Sequence, residues 1–266
     1  MHNLRKSAKS ASHTHFDMRV LRCVRCLAAV LLIAGFTPPE HITVWMIGDS
    51  TMADKPDPEH NPERGWGQSL QQFFDASVTV ENHAVNGRST KSFIAEGRWD
   101  SVRTRLKKGD YVLIEFGHND EKTEDSTRYT NPYTGYRRNL ERFVAESRAK
   151  GATPVIFSPI VRRHFNAHGV LEDTHGAYPF VARMTARELG VGFVDLLQLT
   201  EDLVLGAGPE GSKALYVYTT QGQFPAFPEV RTDDTHLSPR GAAEVARLAA
   251  RAVRALGGPL ATHVVD

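Results

Sequence analysis

Val44-Trp45-Met46-Ile47-Gly48-Asp49-Ser50-Thr51 is the stretch whose reading decides the fold. An apolar run stops abruptly at Gly48 and gives way to Asp-Ser-Thr. The run reads as a buried strand that delivers Ser50 to the top of a sheet. A serine in that position either caps the following helix or serves as a nucleophile. The choice depends on which partners the rest of the chain supplies.

Outward from this strand, strand-like and helix-like segments alternate. Ile42–Ile47 is the first strand, and the Pro-rich segment 56–62 is a rigid loop. Trp66–Phe74 is helical in pattern, with Trp66, Leu70, Phe73 and Phe74 on one face. Ser77–Asn82 is the second strand, Ala84–Ser89 a turn around Gly87, and Phe93–Leu106 mostly helical. Tyr111–Phe116 is a third strand, apolar almost throughout as a strand covered on both faces should be. Tyr136–Lys150 is an amphipathic helix stopped by Gly151, and Pro154–Pro159 the fourth strand. Ala177–Leu189 is a helix ending at Gly190, Val191–Leu196 the fifth strand, and Ser238–Leu256 the last helix. Strands spaced by helices predict an α/β fold: a three-layer α/β/α sandwich on a flavodoxin-like five-stranded parallel sheet. Function in such sheets sits in the loops at the carboxyl ends of the strands.

The first forty-one residues read differently. A basic segment, 18–25, precedes the ten-residue apolar run Leu27–Phe36 and then Thr37-Pro38-Pro39. This is the pattern of a secretory signal, so export to the periplasm or the exterior is expected, with an N-terminal anchor as the competing reading. Met1 and Met18 are both candidate starts. Cys23 and Cys26 stand in CxxC spacing, but inside this leader, which argues against a redox or zinc role. The whole chain carries 32 Lys and Arg against 31 Asp and Glu. Six of the former and two of the latter lie in residues 1–41, which leaves 26 basic and 29 acidic residues and a net charge of −3 for residues 42–266. A mildly acidic, cysteine-free domain is a poor partner for nucleic acid, and nothing after the leader is apolar enough to hold a membrane.

Thr232-Asp233-Asp234-Thr235-His236 precedes the last helix. Asp233 and His236 stand three apart. In a tight loop the carboxylate holds one ring nitrogen while the other faces outward, as a serine hydrolase requires. Acyl transfer also needs donors aimed at the developing oxyanion. The Ser50 N–H, the Gly87 N–H and the Asn119 amide all fall at strand ends, although singly a turn glycine and a helix-capping asparagine explain the last two as well.

Gly48-Asp49-Ser50, Gly87, Gly117-His118-Asn119-Asp120 and Asp233-Asp234-Thr235-His236 together resemble the four sequence blocks of the SGNH (GDSL) hydrolase superfamily, from about Thr43 to Leu256. Residues 47–53, 65–67, 82–89 and 173–176 are similar to one branch, the rhamnogalacturonan acetylesterases of carbohydrate esterase family 12. The resemblance implies Ser50 as nucleophile, His236 as base and acid, Asp233 as the orienting carboxylate, and Ser50, Gly87 and Asn119 as the oxyanion hole. It implies a structural role for Asp49, and His118 is read as a loop brace rather than a metal ligand. No metal or cofactor is expected. Trp66, Arg88, His164 and His175 lie on candidate mouth loops and are candidate substrate contacts. The expected partner is an acetylated polysaccharide or oligosaccharide, with pectic rhamnogalacturonan foremost. Acetylated xylan, lipid or aryl esters, and a non-catalytic sugar- or anion-binding module are the competing readings.

Overall fold

The computed structural model describes residues 41–266. The leader, Met1 and Met18, and Cys23 and Cys26 lie outside the described residues. Five parallel strands form the central sheet in the order β2-β1-β3-β4-β5. They are β1 (Ile42–Gly48), β2 (Val78–Asn82), β3 (Tyr111–Glu115), β4 (Thr153–Phe157) and β5 (Gly192–Val194). This is the flavodoxin-like order, in keeping with the expected five-stranded parallel sheet. Among the described residues no helix is long and apolar enough to cross a membrane.

The inner strands β1, β3 and β4 feed two cores because successive side chains point to opposite faces. Val44 and Met46 of β1 join a cluster with Trp66, Leu70 and Phe157. The alanine-rich face of α6 (Pro239–Leu256) closes that cluster with Ala242, Ala246 and Ala249. Trp45 and Ile47 join the opposite cluster with Phe93, Trp99 and Phe143. Phe143 sits on α3 (Arg137–Ala149) and meets the rings of Phe93, Trp99 and Phe116. Truncating such a ring to alanine costs about 3–5 kcal/mol.

Three local expectations are corrected. Trp66–Phe73 is a 3-10 segment rather than a regular helix. The helix expected over 93–106 is two short ones, α1 (Thr90–Ala95) and α2 (Arg98–Arg103), parted by Gly97 at φ 70°. After β5 the chain builds a further helix, α5 (Leu196–Gly211), broken at Gly208, and then a two-stranded antiparallel pair. That pair is β6 (Tyr216–Tyr218) with β7 (Thr232–Leu237), so Asp233 and His236 stand on a strand and not in a free loop. The fourth helix, α4 (Tyr178–Leu189), agrees with the sequence to within a residue.

Candidate active site

The pairing of β6 with β7 explains how the histidine reaches the sheet edge. Val217 pairs with Asp233, but its neighbour Tyr216 pairs with Leu237. Asp234, Thr235 and His236 therefore bulge out of the ladder, as bulges do beside functional sites. The bulge is held by the Asp233 carboxylate, whose Oδ1 accepts the amides of Thr235 and His236, both at 2.9 Å. Its Oδ2 lies 2.9 Å from His236 Nδ1, and His236 Nε2 lies 2.9 Å from Ser50 Oγ. Sequence separation between the serine and the histidine is 186 residues. Burial alone would raise the Asp233 pKa. The imidazole and amide of His236 and the amide of Thr235 overcome it and hold the carboxyl well below the usual range. Asp233 thus stays ionised beside the ring. Asp234 faces elsewhere, pairing with Arg163 at 2.6 Å.

Behind this relay lies an ion-pair chain that sequence reasoning missed. Lys55 is buried, and its ammonium has three acceptors: the Ser50 carbonyl at 2.7 Å, Asn86 Oδ1 at 2.6 Å and Glu63 Oε1 at 2.8 Å. One side chain therefore ties the loop after β1 to the loop after β2. Glu63 in turn meets Arg231 at 3.1 Å, and Arg231 meets Asp233 Oδ2 at 3.0 Å. Burial would raise the Glu63 pKa, but the charges of His236 and Lys55 and the Arg231 hydrogen bond bring it down. Arg231 stands two residues before Asp233 and was a legible signal; Lys55 and Glu63 were not.

The donors expected for an oxyanion converge on the same spot. Gly87 has φ 76°, a conformation that suits glycine and turns the backbone at the end of β2. Neither the Ser50 nor the Gly87 amide donates to an acceptor among the described residues. Asn119 is held on both ends. Its Oδ1 accepts from Arg128 Nη1 at 3.2 Å, and its Nδ2 donates to the Arg88 carbonyl at 3.3 Å. One Nδ2 hydrogen is left over. Ser50, Gly87, Asn119 and His236 line a cavity of about 410 Å³ together with Glu63, Asn86, His118 and Thr235. Lys122, Arg128 and Arg162 complete its wall. Arg162 is paired with Glu121 and Arg128 with Asp125. Lys122 has no ion-pair partner among the described residues. It follows Asn119 by three positions, so it too was within reach of a sequence reading.

The expected substrate contacts divide. Trp66 is fully buried, and its indole N–H donates to Glu115 Oε2 at 3.2 Å, so it touches no substrate. His175 is buried as well, between Glu121 at 2.9 Å and the Ile160 carbonyl at 2.8 Å, and it braces two loops. Both are corrections: these residues occupy mouth-like stretches of sequence but turn inward to carboxylates and carbonyls. His164 is exposed, pairs with Glu172 at 3.3 Å and lies off the cavity wall. Arg88 lies beside Gly87, in a second cavity that adjoins the first.

Directly beneath Ser50 is a sealed polar cluster. Asp49 Oδ1 accepts the amide and hydroxyl of Thr51 at 3.0 and 2.9 Å. Thr51 Oγ1 also lies 3.2 Å from both oxygens of Glu115. Burial and the Asp49 charge push the Glu115 pKa well above the usual carboxylate range. Burial pulls His118 down to about 4, leaving its ring neutral. Burial would also raise Asp49, but His118 beside it and the two Thr51 groups hold it at about 2. Asp49, Glu115 and His118 bring possible ligand atoms within 4.8 Å of one another. The Glu115 oxygens face the Trp66 indole N–H, the Ile160 amide and the Thr51 hydroxyl, and Asp49 Oδ1 accepts from Thr51. Asp49 Oδ2 and one ring nitrogen fall short of the three or four protein ligands of a zinc site.

Comparison with known proteins identifies the family. Residues 46–244 match the GDSL-like Lipase/Acylhydrolase family. The chain is 43% identical to the rhamnogalacturonan acetylesterase RhgT of Bacillus subtilis over 225 residues, covering 85% of this chain and 95% of that protein. It is 29% identical to the rhamnogalacturonan acetylesterase of Emericella nidulans, covering 79% of this chain and 84% of the relative. The acetylxylan esterase Axe2 from Geobacillus stearothermophilus shares the fold, with a TM-score of 0.57 at 18% identity over 79% of this chain and 93% of that one. The chain belongs to the GDSL-like lipase/acylhydrolase family, the SGNH hydrolases, and is a carboxylic ester hydrolase.

Proposed function

We propose that this hydrolase removes O-acetyl groups from a plant cell-wall polysaccharide, rhamnogalacturonan foremost, through an acetyl-enzyme on Ser50. The observation that carries the reading is the relay Ser50–His236–Asp233, with 2.9 Å at each step, under two unused backbone amides and a fixed asparagine amide. In the proposed cycle Ser50 Oγ attacks the acetyl carbonyl while His236 Nε2 takes its proton. The Ser50 and Gly87 N–H groups and Asn119 Nδ2 hold the oxyanion. Collapse returns the proton from His236 to the departing sugar hydroxyl and leaves acetyl on Ser50. Water, deprotonated by the same histidine, then releases acetate and restores the serine. Asp233 keeps the ring oriented and stabilises its cationic form.

Two features favour an acidic sugar chain. The cavity wall carries Lys122, Arg128 and Arg162 and no aliphatic side chain, which suits carboxylates and hydroxyls and offers a long acyl chain nothing to bury against. The 43% identity to a rhamnogalacturonan acetylesterase points to the same substrate. Acetylated xylan, a largely neutral polymer, offers such a wall hydroxyls only. Export fits a substrate outside the cell and belongs to the same proposal. Mass analysis of the protein recovered from the medium or periplasm would locate the processed N-terminus, and retention of the intact leader in the cytoplasm would overturn export. The function is tested by acetate release from acetylated rhamnogalacturonan, acetylated xylan and a p-nitrophenyl ester series from acetate to decanoate. Rhamnogalacturonan should lead the polymers and acetate the esters. Preference for xylan or for long-chain esters would overturn the assignment.

A further inference from the structure

The second cavity, about 480 Å³, continues from the Ser50 cavity rather than standing apart. Gly87 and Arg128 line both. It is lined by Gly87 and Arg88, by Ser92 and Ala95 of α1 with Glu96 at its C-cap, and by Thr127 and Arg128. Arg88 is anchored through Nε to Glu96 at 3.1 Å and through Nη1 to the Asn86 carbonyl at 2.8 Å. Arg128 is anchored through Nε to Asp125 at 2.5 Å and through Nη1 to Asn119. Each guanidinium therefore has its Nη2 without a partner among the described residues. Pinned arginines with unused donors on a groove are suited to bind a carboxylate or hydroxyls without first ordering long side chains.

Resting on the proposed function, we propose that this groove is an outer subsite for a uronic-acid residue of the same chain whose acetyl group sits over Ser50. The groove is within the size range of small-molecule sites. Arg128 gives the subsite a catalytic consequence. The guanidinium that would meet the outer sugar also fixes the amide of Asn119, an expected oxyanion donor. Binding energy gained in the groove is then expressed in the chemical step, so a longer oligosaccharide raises kcat and not only affinity. Charge in the groove matters more than length alone, because a neutral sugar leaves the Nη2 donors with hydroxyl partners only.

The test uses the full chain with acetylated rhamnogalacturonan oligosaccharides of increasing length, and p-nitrophenyl acetate as the small ester. In wild type, kcat/KM should rise at least tenfold once the oligosaccharide reaches the groove, with part of the gain in kcat. Ala95→Trp fills the groove from an exposed helix position, and Thr127→Trp fills it from the other wall. Either should lower the ratio of long-oligosaccharide to small-ester kcat/KM at least tenfold. Reducing the uronic carboxylates to alcohols should lower the wild-type length gain in the same direction. No length gain in wild type, or a gain that both Trp variants keep, overturns the subsite while leaving deacetylation standing. Hydrolysis of p-nitrophenyl acetate with no acetate from any oligosaccharide overturns the proposed function itself, and the subsite with it.

Discussion

Ser50 and its two chain neighbours sit in opposite surroundings. Ser50 Oγ stands at the bottom of an open cavity, within reach of His236. Asp49 and Thr51 lie beneath it, fully buried with Glu115. Both places collect carboxylates, a histidine and hydroxyls, yet their protonation differs. In the open region Asp233 keeps its charge because amides and an imidazole surround it and Arg231 neutralises its outer side. In the sealed region the pKa values of the two carboxyls are pushed apart, Glu115 up and Asp49 down, because two like charges in a dry cluster repel and cannot be solvated. Residue type alone therefore does not mark a site. Access to solvent and the count of fixed donors decide which cluster has chemistry to offer and which is a base plate.

The sharpest way to break this comparison is to remove groups from each region in turn and ask what fails. In the open region, Ser50→Ala or His236→Ala should lower kcat on p-nitrophenyl acetate by about 10³–10⁴-fold or more with the melting temperature nearly unchanged. Asn119→Ala should cost about 10²–10³-fold, again in kcat, if the amide meets the oxyanion.

In the sealed region the loss should fall on stability instead. Glu115→Ala leaves the Trp66 indole without its acceptor and opens a void beside the Thr51 hydroxyl, and should cost about 2–4 kcal/mol in denaturant unfolding. Glu115→Gln should stay within about 1 kcal/mol of wild type, since the raised pKa favours the neutral carboxyl that Gln copies. A loss from Gln as large as from Ala would mean that Glu115 is ionised and would collapse the contrast between the two regions.

The smallest effect is in pH. His118 has its folded pKa depressed from 6.5 to about 4, so between these values the unfolded chain binds the extra proton. Its contribution is thus present above about pH 6.5 and lost as pH falls towards 4, by at most roughly 1.4 kcal/mol per pH unit. Asp120 works the other way. Burial raises its pKa from 3.8 to about 7, so its contribution is present at low pH and lost as pH rises through that range. Glu115, also raised, works in the same direction as Asp120, so His118→Gln should tilt the stability–pH curve relative to wild type, becoming relatively more stable as pH falls from 6.5 to about 4. Parallel stability–pH curves for the two proteins would contradict the assignment.

Much of this was legible before any coordinates. Ser50, Gly87 and Asn119 each follow an apolar or β-branched run, so the strand pattern places them on one edge. The spacing of Asp233 and His236 was also legible. Their strand was not, because Thr232–Leu237 is polar and pairs with only three residues, leaving no alternation to read. Trp66 and His175 misled for a related reason. Their partners, Glu115 and Glu121, are 49 and 54 residues away, and no local pattern tells an inward-turned ring from one on the rim. The clamp of Lys55 and Glu63 escaped for the same reason, since a buried lysine is recognisable only by what surrounds it.

The central claim is that the open region, and Ser50 within it, performs the chemistry. Treatment with a fluorophosphonate followed by peptide mass spectrometry tests it most directly. One adduct per chain is predicted, on Ser50, formed in step with loss of esterase activity and slowed by at least 10²-fold in His236→Ala. Labelling on another residue with activity lost, or full activity in a chain labelled on Ser50, would contradict the account.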